Sequence, residues 1–491
     1  MLAVVVLVGA GLRFSTLGHQ SYWFDESATV DIVSGDLGHA LAAIPETEST
    51  PPLYYLVAWS WANLFGTGEA ALRSLSALFG TATIIVAFAV GRHVAGGRGG
   101  IVTAALIAVN PLLIWYSQEA RAYALLVLLA GISLLFFLRT VAAPTRKNLA
   151  AWTAASCLTI ATHYFGVFIV AAQALWLSGL GRGRVVSAAP GLREPQERLP
   201  GKAFLAALLP VAATGGGLVP LLVHQSPNSG APSGRDLWDR IVRVPIQFVV
   251  GLNVSVVQIV CLIAICSLLT YGAFELVRRG ERPATRFVLP SAIVGALTLA
   301  APVALAFVGL DYLNTRNVLP ALLPLAVVMA AGLARLPKPR AEILSSVLCL
   351  LFLAVTINVV RDPTLQRTDF RGAAEALGKP TGNRAIVATL GGDEALGLYL
   401  PRLRLLPDSG ADVREIDLIG LGSHNGSNRG VVRPPAKVRP PAGFHEVQRD
   451  EKETYSLVRF RSSHARRLSA GALFELALPG AESVVLLQST R

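Results

Sequence analysis

Charge is scarce in this chain. Only 15% of its 491 residues are Asp, Glu, Lys or Arg, while 53% are hydrophobic. Soluble domains carry about 25% charge, so the composition points to lipid as solvent. Cysteine is also sparse. The four present (Cys157, Cys261, Cys266 and Cys349) lie inside apolar blocks at no metal-like spacing, which excludes a disulfide framework or a cysteine zinc site. There is no GxxxxGK[ST] loop, no GxGxxG after a strand and no Asp-x-Asp pair. ATP-driven transport, dinucleotide binding and nucleotide-sugar chemistry therefore lose their usual sequence support. No internal repeat is evident.

Apolar residues fall in blocks of about 15–24, the length a helix needs to cross a hydrocarbon core. In that medium each backbone polar group must be satisfied within its own segment, so the blocks are helices. About eleven spans are expected, at 2–17, 70–91, 101–115, 121–138, 149–162, 165–181, 203–223, 254–277, 287–309, 317–334 and 342–360. Residues 1–17 lack a basic leader and a small-residue cleavage site, and read as a first span. The net charge of +12 sits largely in short loops near 92–98, 139–147, 182–202, 278–286 and 335–340. These hold Arg92, Arg139, Arg182, Arg184, Arg193, Arg198, Arg279 and Arg282, among others. The opposite side, up to the last span, offers Arg121, Arg235, Arg240, Arg243 and Arg316. Such an asymmetry marks the richer loops as cytoplasmic and speaks against a nucleic-acid partner.

The first outside loop, 18–69, has no Lys or Arg but contains Asp25, Glu26, Asp31, Asp36, Glu46, Glu48 and Glu69. Its aromatics Trp23, Tyr54, Tyr55, Trp59 and Trp61 suit a membrane–water interface, and short surface helices are expected there. The Gly96-Gly97-Arg98-Gly99-Gly100 run reads as a cytoplasmic turn. Beyond residue 360 the composition becomes charged and proline-punctuated. Residues 385–390 read as a buried strand, followed by a Gly391-Gly392 turn and a short helix through Tyr399, with a second strand near 455–460. The division expected is a membrane domain, 1–360, and a small extracytoplasmic α/β domain, 361–491.

Three stretches could carry chemistry. Asp25 and Glu26 follow Trp23-Phe24 just past the first span, where partial desolvation favours general-base behaviour; an ordinary solvated acidic loop is the alternative. Arg121 lies between the third and fourth spans, in Ser117-Gln118-Glu119-Ala120-Arg121-Ala122-Tyr123. An arginine at a bilayer edge needs an anion, either phosphate or a loop acid such as Glu119. Arg316 enters the tenth span from outside, and Arg13 stands near the outer end of the first, where snorkelling to headgroups is the competing reading. His163 lies in a tight outside turn and either lines the same cavity or is a hydrogen-bonded structural residue. No histidine spacing defines a metal set, although Asp25 or Glu26 could hold a divalent cation.

In this order the pieces resemble the GT-C superfamily of membrane glycosyltransferases. The branch is that of the dolichyl-phosphate-mannose protein mannosyltransferases and lipid A aminoarabinose transferases (glycosyltransferase family 39-like). The resemblance rests on Trp23-Phe24-Asp25-Glu26, Thr50-Pro51-Pro52-Leu53-Tyr54-Tyr55, Ser117 to Tyr123, and Asn314-Thr315-Arg316-Asn317-Val318-Leu319-Pro320, and covers most of residues 1–335. Asp369-Phe370-Arg371 looks like the start of the outer domain of bacterial members. The resemblance implies an inverting transfer of a sugar from a polyprenyl-phosphate carrier to a cell-envelope acceptor at the outer face of a bacterial plasma membrane. Asp25 would be the base, Glu26 would orient the loop or acceptor, and Arg121 and Arg316 would hold the leaving phosphate. Gln118, Tyr123, Tyr54, His163 and Arg13 would complete the substrate site. Thr50 replaces the histidine usual before the paired prolines, and Asn317 replaces an aromatic, so sugar and acceptor stay open. The competing reading is a lipid or sugar transporter without covalent chemistry; it expects paired interrupted helices in two halves, which are not apparent.

Overall fold

The computed structural model describes residues 1–179, 201–228, 236–278, 285–389, 392–422, 430–476, 478–479 and 482–489. The expected loop bases Arg182, Arg184, Arg193, Arg198, Arg235, Arg279 and Arg282, and the turn residues Leu390 and Gly391, lie outside the described residues. The chain divides into two compact units, Met1–Leu17 with Ile32–Thr356 and Gly18–Asp31 with Ile357–Arg491. A cut at residue 360 therefore misses segment 18–31, which clusters with the C-terminal unit.

The described part of the first unit is helical. Its elements, two of which run past its boundaries, are α1 (Leu2–Phe14), α2 (Phe24–Ser34), α3 (Leu37–Thr47), α4 (Leu53–Phe65), α5 (Glu69–Val109), α6 (Pro111–Ser117), α7 (Tyr123–Ala142), α8 (Arg146–Thr162), α9 (Gly166–Leu177), α10 (Gly201–Gln225), α11 (Leu237–Val250), α12 (Val256–Arg278), α13 (Thr285–Phe307), α14 (Leu322–Leu333) and α15 (Lys338–Arg361). Among the described residues, six helical stretches are long and apolar enough to cross a membrane: Glu69–Val109, Tyr123–Ala142, Gly201–Asn228, Arg286–Phe307, Thr315–Leu333 and Lys338–Arg361. Other expected spans hold the shorter apolar helices Leu2–Phe14 and Gly166–Leu177, and α12, whose apolar part is Val256–Gly272.

The expected spans 70–91 and 101–115 lie largely within α5, which bends where Gly96 takes a φ of 72°. Ala95 and Gly96 both leave the helical conformation there, so α5 is two helices joined at a turn, as two separate spans require, and glycine bears the left-handed conformation at least cost. At the far end Asn110 stops α5 and starts α6: its Oδ1 accepts the Leu113 N–H at 3.0 Å, with Pro111 in the first turn. Helix α7 is mostly enclosed and packs Leu134, Phe137 and Leu138 into the core with Trp152 of α8. Gln173 of α9 accepts hydrogen bonds from Ser133 at 2.7 Å and from Trp152 at 2.8 Å. In an apolar interior such bonds between helices fix their register.

The short helices expected in the first outside loop are present as α2, α3 and α4. Tyr54 and Tyr55, expected as interface anchors, are instead fully buried. Trp61 donates to the Ala71 carbonyl at 2.9 Å and Trp59 to that of Gly35 at 3.0 Å, so these aromatics also tie the loop down.

The second unit is built on a six-stranded sheet. Its strands are β1 (Arg384–Thr389), β2 (Leu403–Leu405), β3 (Ala411–Leu421), β4 (His445–Glu451), β5 (Tyr455–Leu468) and β6 (Ser483–Gln488), in the order β2-β6-β1-β3-β5-β4. Helices α16 (Phe370–Leu377), α17 (Gly392–Gly397) and α18 (Ala470–Phe474) accompany it. Both expected strands are found, as β1 and β5. β1 runs parallel to β3 with Val387 opposite Leu418, and antiparallel to β6. Ile386 and Ala388 face a core that includes α16 and α17, while Ala385 and Val387 face the other. Alternation at period two puts successive side chains into separate layers.

An ion network lies beneath α16. Arg384, fully buried, donates to Glu415 at 3.2 Å, to Asp417 at 3.1 Å and to the Leu377 carbonyl at 2.6 Å. Arg459 donates to Asp417 at 2.8 Å and to the same carbonyl at 2.7 Å. Removing one charge from such a network leaves others buried and uncompensated. Arg384→Ala should destabilise the C-terminal unit by about 3–5 kcal/mol, read as an earlier unfolding transition and earlier proteolysis of that unit in the full-length protein; a wild-type transition would show that the network contributes little.

Candidate functional site

In the first unit the site is assembled around the loop between α6 and α7. Gln118 anchors it: its Nε2 donates to the carbonyls of Leu12 at 3.0 Å and Arg13 at 3.1 Å, and to the Thr16 hydroxyl at 2.7 Å. Arg13 itself is fully buried. Its guanidinium donates to the carbonyls of Gly9 at 3.0 Å, Ala108 at 2.8 Å and Ile107 at 3.0 Å, and to Ser117 Oγ at 3.2 Å. It thus caps the C-terminal end of α5. The snorkelling reading is corrected: Arg13 points into protein because the last carbonyls of α5 need donors.

Arg121 is buried and forms a two-pronged pair with Glu48, which is 2% exposed; its Nη2 lies 2.8 Å from Oε2, and Nη1 meets Oε1. The loop acid that pairs with it is thus Glu48, 73 residues earlier in the chain. The Arg121 guanidinium also lies 5.8 Å from the centre of the Tyr55 ring, whose hydroxyl is 2.9 Å from Thr50 Oγ1. Burial raises the Tyr55 phenol well above its usual range, against the pull of Arg121. Tyr54 places its hydroxyl 3.4 Å from Ser76 Oγ, and Ser76 donates to the Arg121 carbonyl at 3.4 Å. Glu48 follows α3, and its backbone is clamped: the amide donates to Ile44 at 3.2 Å, and the carbonyl accepts from Asn228 at 3.2 Å.

His163 closes α8 in the turn before α9, with its ring 5.7 Å from that of Tyr123 and 5.3 Å from Phe165. Its Nδ1 accepts the Phe165 N–H at 3.3 Å. Burial pushes its pKa down to about 3, helped by the positive charges of Arg316 and Arg121. Both guanidiniums therefore act on one neutral imidazole. Arg316 is half-buried in a tight turn, Thr315–Ala321, started by Asn314, whose Oδ1 accepts the Arg316 N–H at 3.2 Å. The nearby Arg240, buried at the start of α11, is paired with Asp311 and donates to the Leu313 carbonyl at 3.0 Å. The first unit thus groups Arg121, Arg316, His163, Tyr123 and Glu48. Gln118 and Arg13 serve as its framework.

The second unit contains Asp25 and Glu26, in the first turn of α2. Glu26 is fully buried and Asp25 half-buried. Segment 18–31 is stitched into this unit: Ser21 donates to the Thr368 carbonyl at 3.0 Å, Tyr399 accepts the Tyr22 N–H at 2.7 Å, and Arg371 donates to the His19 carbonyl at 3.0 Å. Burial raises the Glu394 carboxyl, and Asp393, Asp31 and Asp25 push it the same way while a hydrogen bond with Ser27 opposes them. Glu394 escaped sequence reasoning because only folding brings it beside α2. Trp23 Nε1 is buried with no hydrogen-bond partner among the described residues. Among those residues no group of three or more His, Cys, Asp or Glu could hold a metal ion.

Residues 49–191 match the family model of the dolichyl-phosphate-mannose-protein mannosyltransferases. Across the whole length the structure is similar to ArnT from Cupriavidus metallidurans in the apo state, at 14% identity and a TM-score of 0.55, covering 97% of this chain and 98% of that one. ArnT from the same organism bound to undecaprenyl phosphate matches with the same identity and TM-score, covering 97% and 99%. The chain has the GT-C fold. No curated protein sequence matches significantly. The GT-C framework accounts for the long helical unit followed by a small sheet domain.

Between pH 6.5 and about 3 the folded chain binds fewer protons at His163 than the unfolded chain. The contribution of this residue to stability is therefore present above pH 6.5 and lost as the pH falls towards 3. His163→Gln should flatten the fall in melting temperature across that acid range; an unchanged acid profile would show that the imidazole is not held neutral.

Proposed function

We propose that this protein is an inverting glycosyltransferase that moves a sugar from a polyprenyl-phosphate carrier to a cell-envelope acceptor at the extracytoplasmic face of a bacterial membrane. The observation that carries the reading is the buried Arg121, held beside Glu48 and the Tyr55 ring in a GT-C fold. A buried guanidinium, Arg121, with the half-buried Arg316 as a second cation suits a phosphate leaving group, because a planar fork binds its oxygens and low dielectric strengthens the attraction. A structural relative solved with undecaprenyl phosphate bound supports the choice of carrier.

The chemistry asks little else. A phosphate monoester departs without a protonating acid, so cations on the leaving group and one base for the acceptor hydroxyl suffice. A glycoside hydrolase, in contrast, sets two carboxyls against each other across the bond. Asp25 is assigned the base role: it is half-buried, at a helix N-terminus, in a segment held by the bonds of Ser21, Tyr22 and Ser27 on either side of it. Glu26, buried beside it, orients the turn. Tyr123 and Tyr54 shape the wall behind Arg121, and Gln118 and Arg13 keep its loop in place. A divalent cation, if bound, would meet oxygen ligands such as Asp25.

Asp25→Asn should lower sugar transfer in reconstituted membranes by about 100-fold or more while leaving the melting temperature unchanged; near-normal turnover would remove Asp25 from the base role. Arg121→Ala should weaken binding of the carrier phosphate more than Arg121→Lys does, because lysine keeps the charge and loses only the fork. Near-wild-type binding in both variants would refute the phosphate assignment.

A further inference from the structure

The Arg121–Glu48 pair raises a question about occupancy. A guanidinium whose two outer nitrogens already engage both oxygens of a carboxylate cannot offer the same fork to a phosphate. Both side chains are almost fully buried, so neither charge is compensated by water. An incoming anion must therefore take the place of the carboxylate, and an emptied site must receive it back. This exchange falls to the glutamate side chain, because the main chain is fixed. Around Glu48 the main chain is held by Asn228, whose Nδ2 also donates to the Glu46 carbonyl at 2.8 Å, and by Gln225, whose Nε2 donates to the carbonyls of Ile44 at 3.0 Å and Thr50 at 3.2 Å. With its backbone fixed on both sides, the glutamate can release Arg121 by turning about its side-chain bonds alone.

We infer that Glu48 is the resting counter-ion of Arg121, competing with the carrier phosphate for the guanidinium and promoting its release once the sugar has gone. The inference rests on the assignment of Arg121 to the phosphate. Glu48 is a positioning residue: it touches Arg121, not the reacting atoms. Its competition weakens ground-state binding of the anion, and that weakening is what allows turnover, since a phosphate gripped by an unopposed buried arginine leaves slowly. The device also removes the cost of an empty site, because Arg121 is never left as a bare buried charge.

The test uses the full-length protein in lipid nanodiscs, with undecaprenyl phosphate as probe and undecaprenol as the uncharged control. Glu48→Gln should bind undecaprenyl phosphate about tenfold more tightly, with slower dissociation and unchanged undecaprenol binding; tenfold corresponds to about 1.4 kcal/mol. The gain should vanish when Arg121→Ala is added, which a purely structural role for Glu48 does not predict. Unchanged or weaker binding of the probe by a folded Glu48→Gln overturns the proposal. Should that variant not fold, Glu48→Asp keeps the charge on a shorter arm and should still tighten binding; wild-type affinity there also overturns it. The underlying assignment fails separately: if Arg121→Ala alone binds undecaprenyl phosphate like the wild type, Arg121 does not hold the phosphate. If Arg121→Ala weakens binding while Glu48→Gln leaves it unchanged, only the competition is refuted.

Discussion

A buried guanidinium must have acceptors for its donors, whether a carboxylate or backbone carbonyls, and this constraint organises the first unit of the protein. Taking an ammonium- or carboxylate-sized ion out of water costs several kcal/mol even after the protein relaxes, so each enclosed arginine dictates its surroundings. Three solutions appear. Arg13 satisfies its donors with the last carbonyls of α5. Arg240 takes Asp311, at the edge of the unit. Arg121 takes Glu48, and that pairing brings the loop after α3, the loop after α6 and the ring of Tyr55 together. The first solution is a permanent cap, since backbone carbonyls cannot leave. The third is reversible, since a carboxylate on a flexible arm can.

The same physics serves a different purpose in the second unit. There Arg384 and Arg459 share Glu415, Asp417 and the Leu377 carbonyl, binding α16 to β1, β3 and β5. With two guanidiniums, two carboxylates and backbone acceptors all engaged, this network is suited to specifying one arrangement of helix on sheet, not to exchanging partners. Two carboxylates of segment 18–31, Asp25 and Asp31, meet further acids in Asp393 and Glu394, and burial together with these neighbours raises the Glu394 carboxyl.

Most of the helical framework was legible in the amino-acid order, because length and hydropathy decide whether a segment can satisfy its backbone in lipid. Strand β1 was legible for a similar reason: Ala385 to Ala388 form a continuous apolar run with turn residues after it. Misreadings arose where local pattern and tertiary demand diverge. Tyr54 and Tyr55 have interface chemistry, yet both are enclosed, Tyr55 beside the Arg121 guanidinium and Tyr54 with its hydroxyl towards Ser76. The two apolar blocks expected as separate spans are the two helical halves of α5, parted where Ala95 and Gly96 leave the helical conformation.

The sequence by itself determined the solvent, the helical class, the mixed second domain and the short set of residues able to hold charge at a membrane edge. Those are properties of composition and periodicity, which act locally. Tertiary structure alone decided the partners: Glu48 for Arg121, the α5 carbonyls for Arg13, Glu394 for Ser27, and segment 18–31 for the C-terminal unit. Partner choice depends on which distant groups share a low-dielectric space, where each charge is strongly coupled to its neighbours, and separation along the chain has no bearing on that.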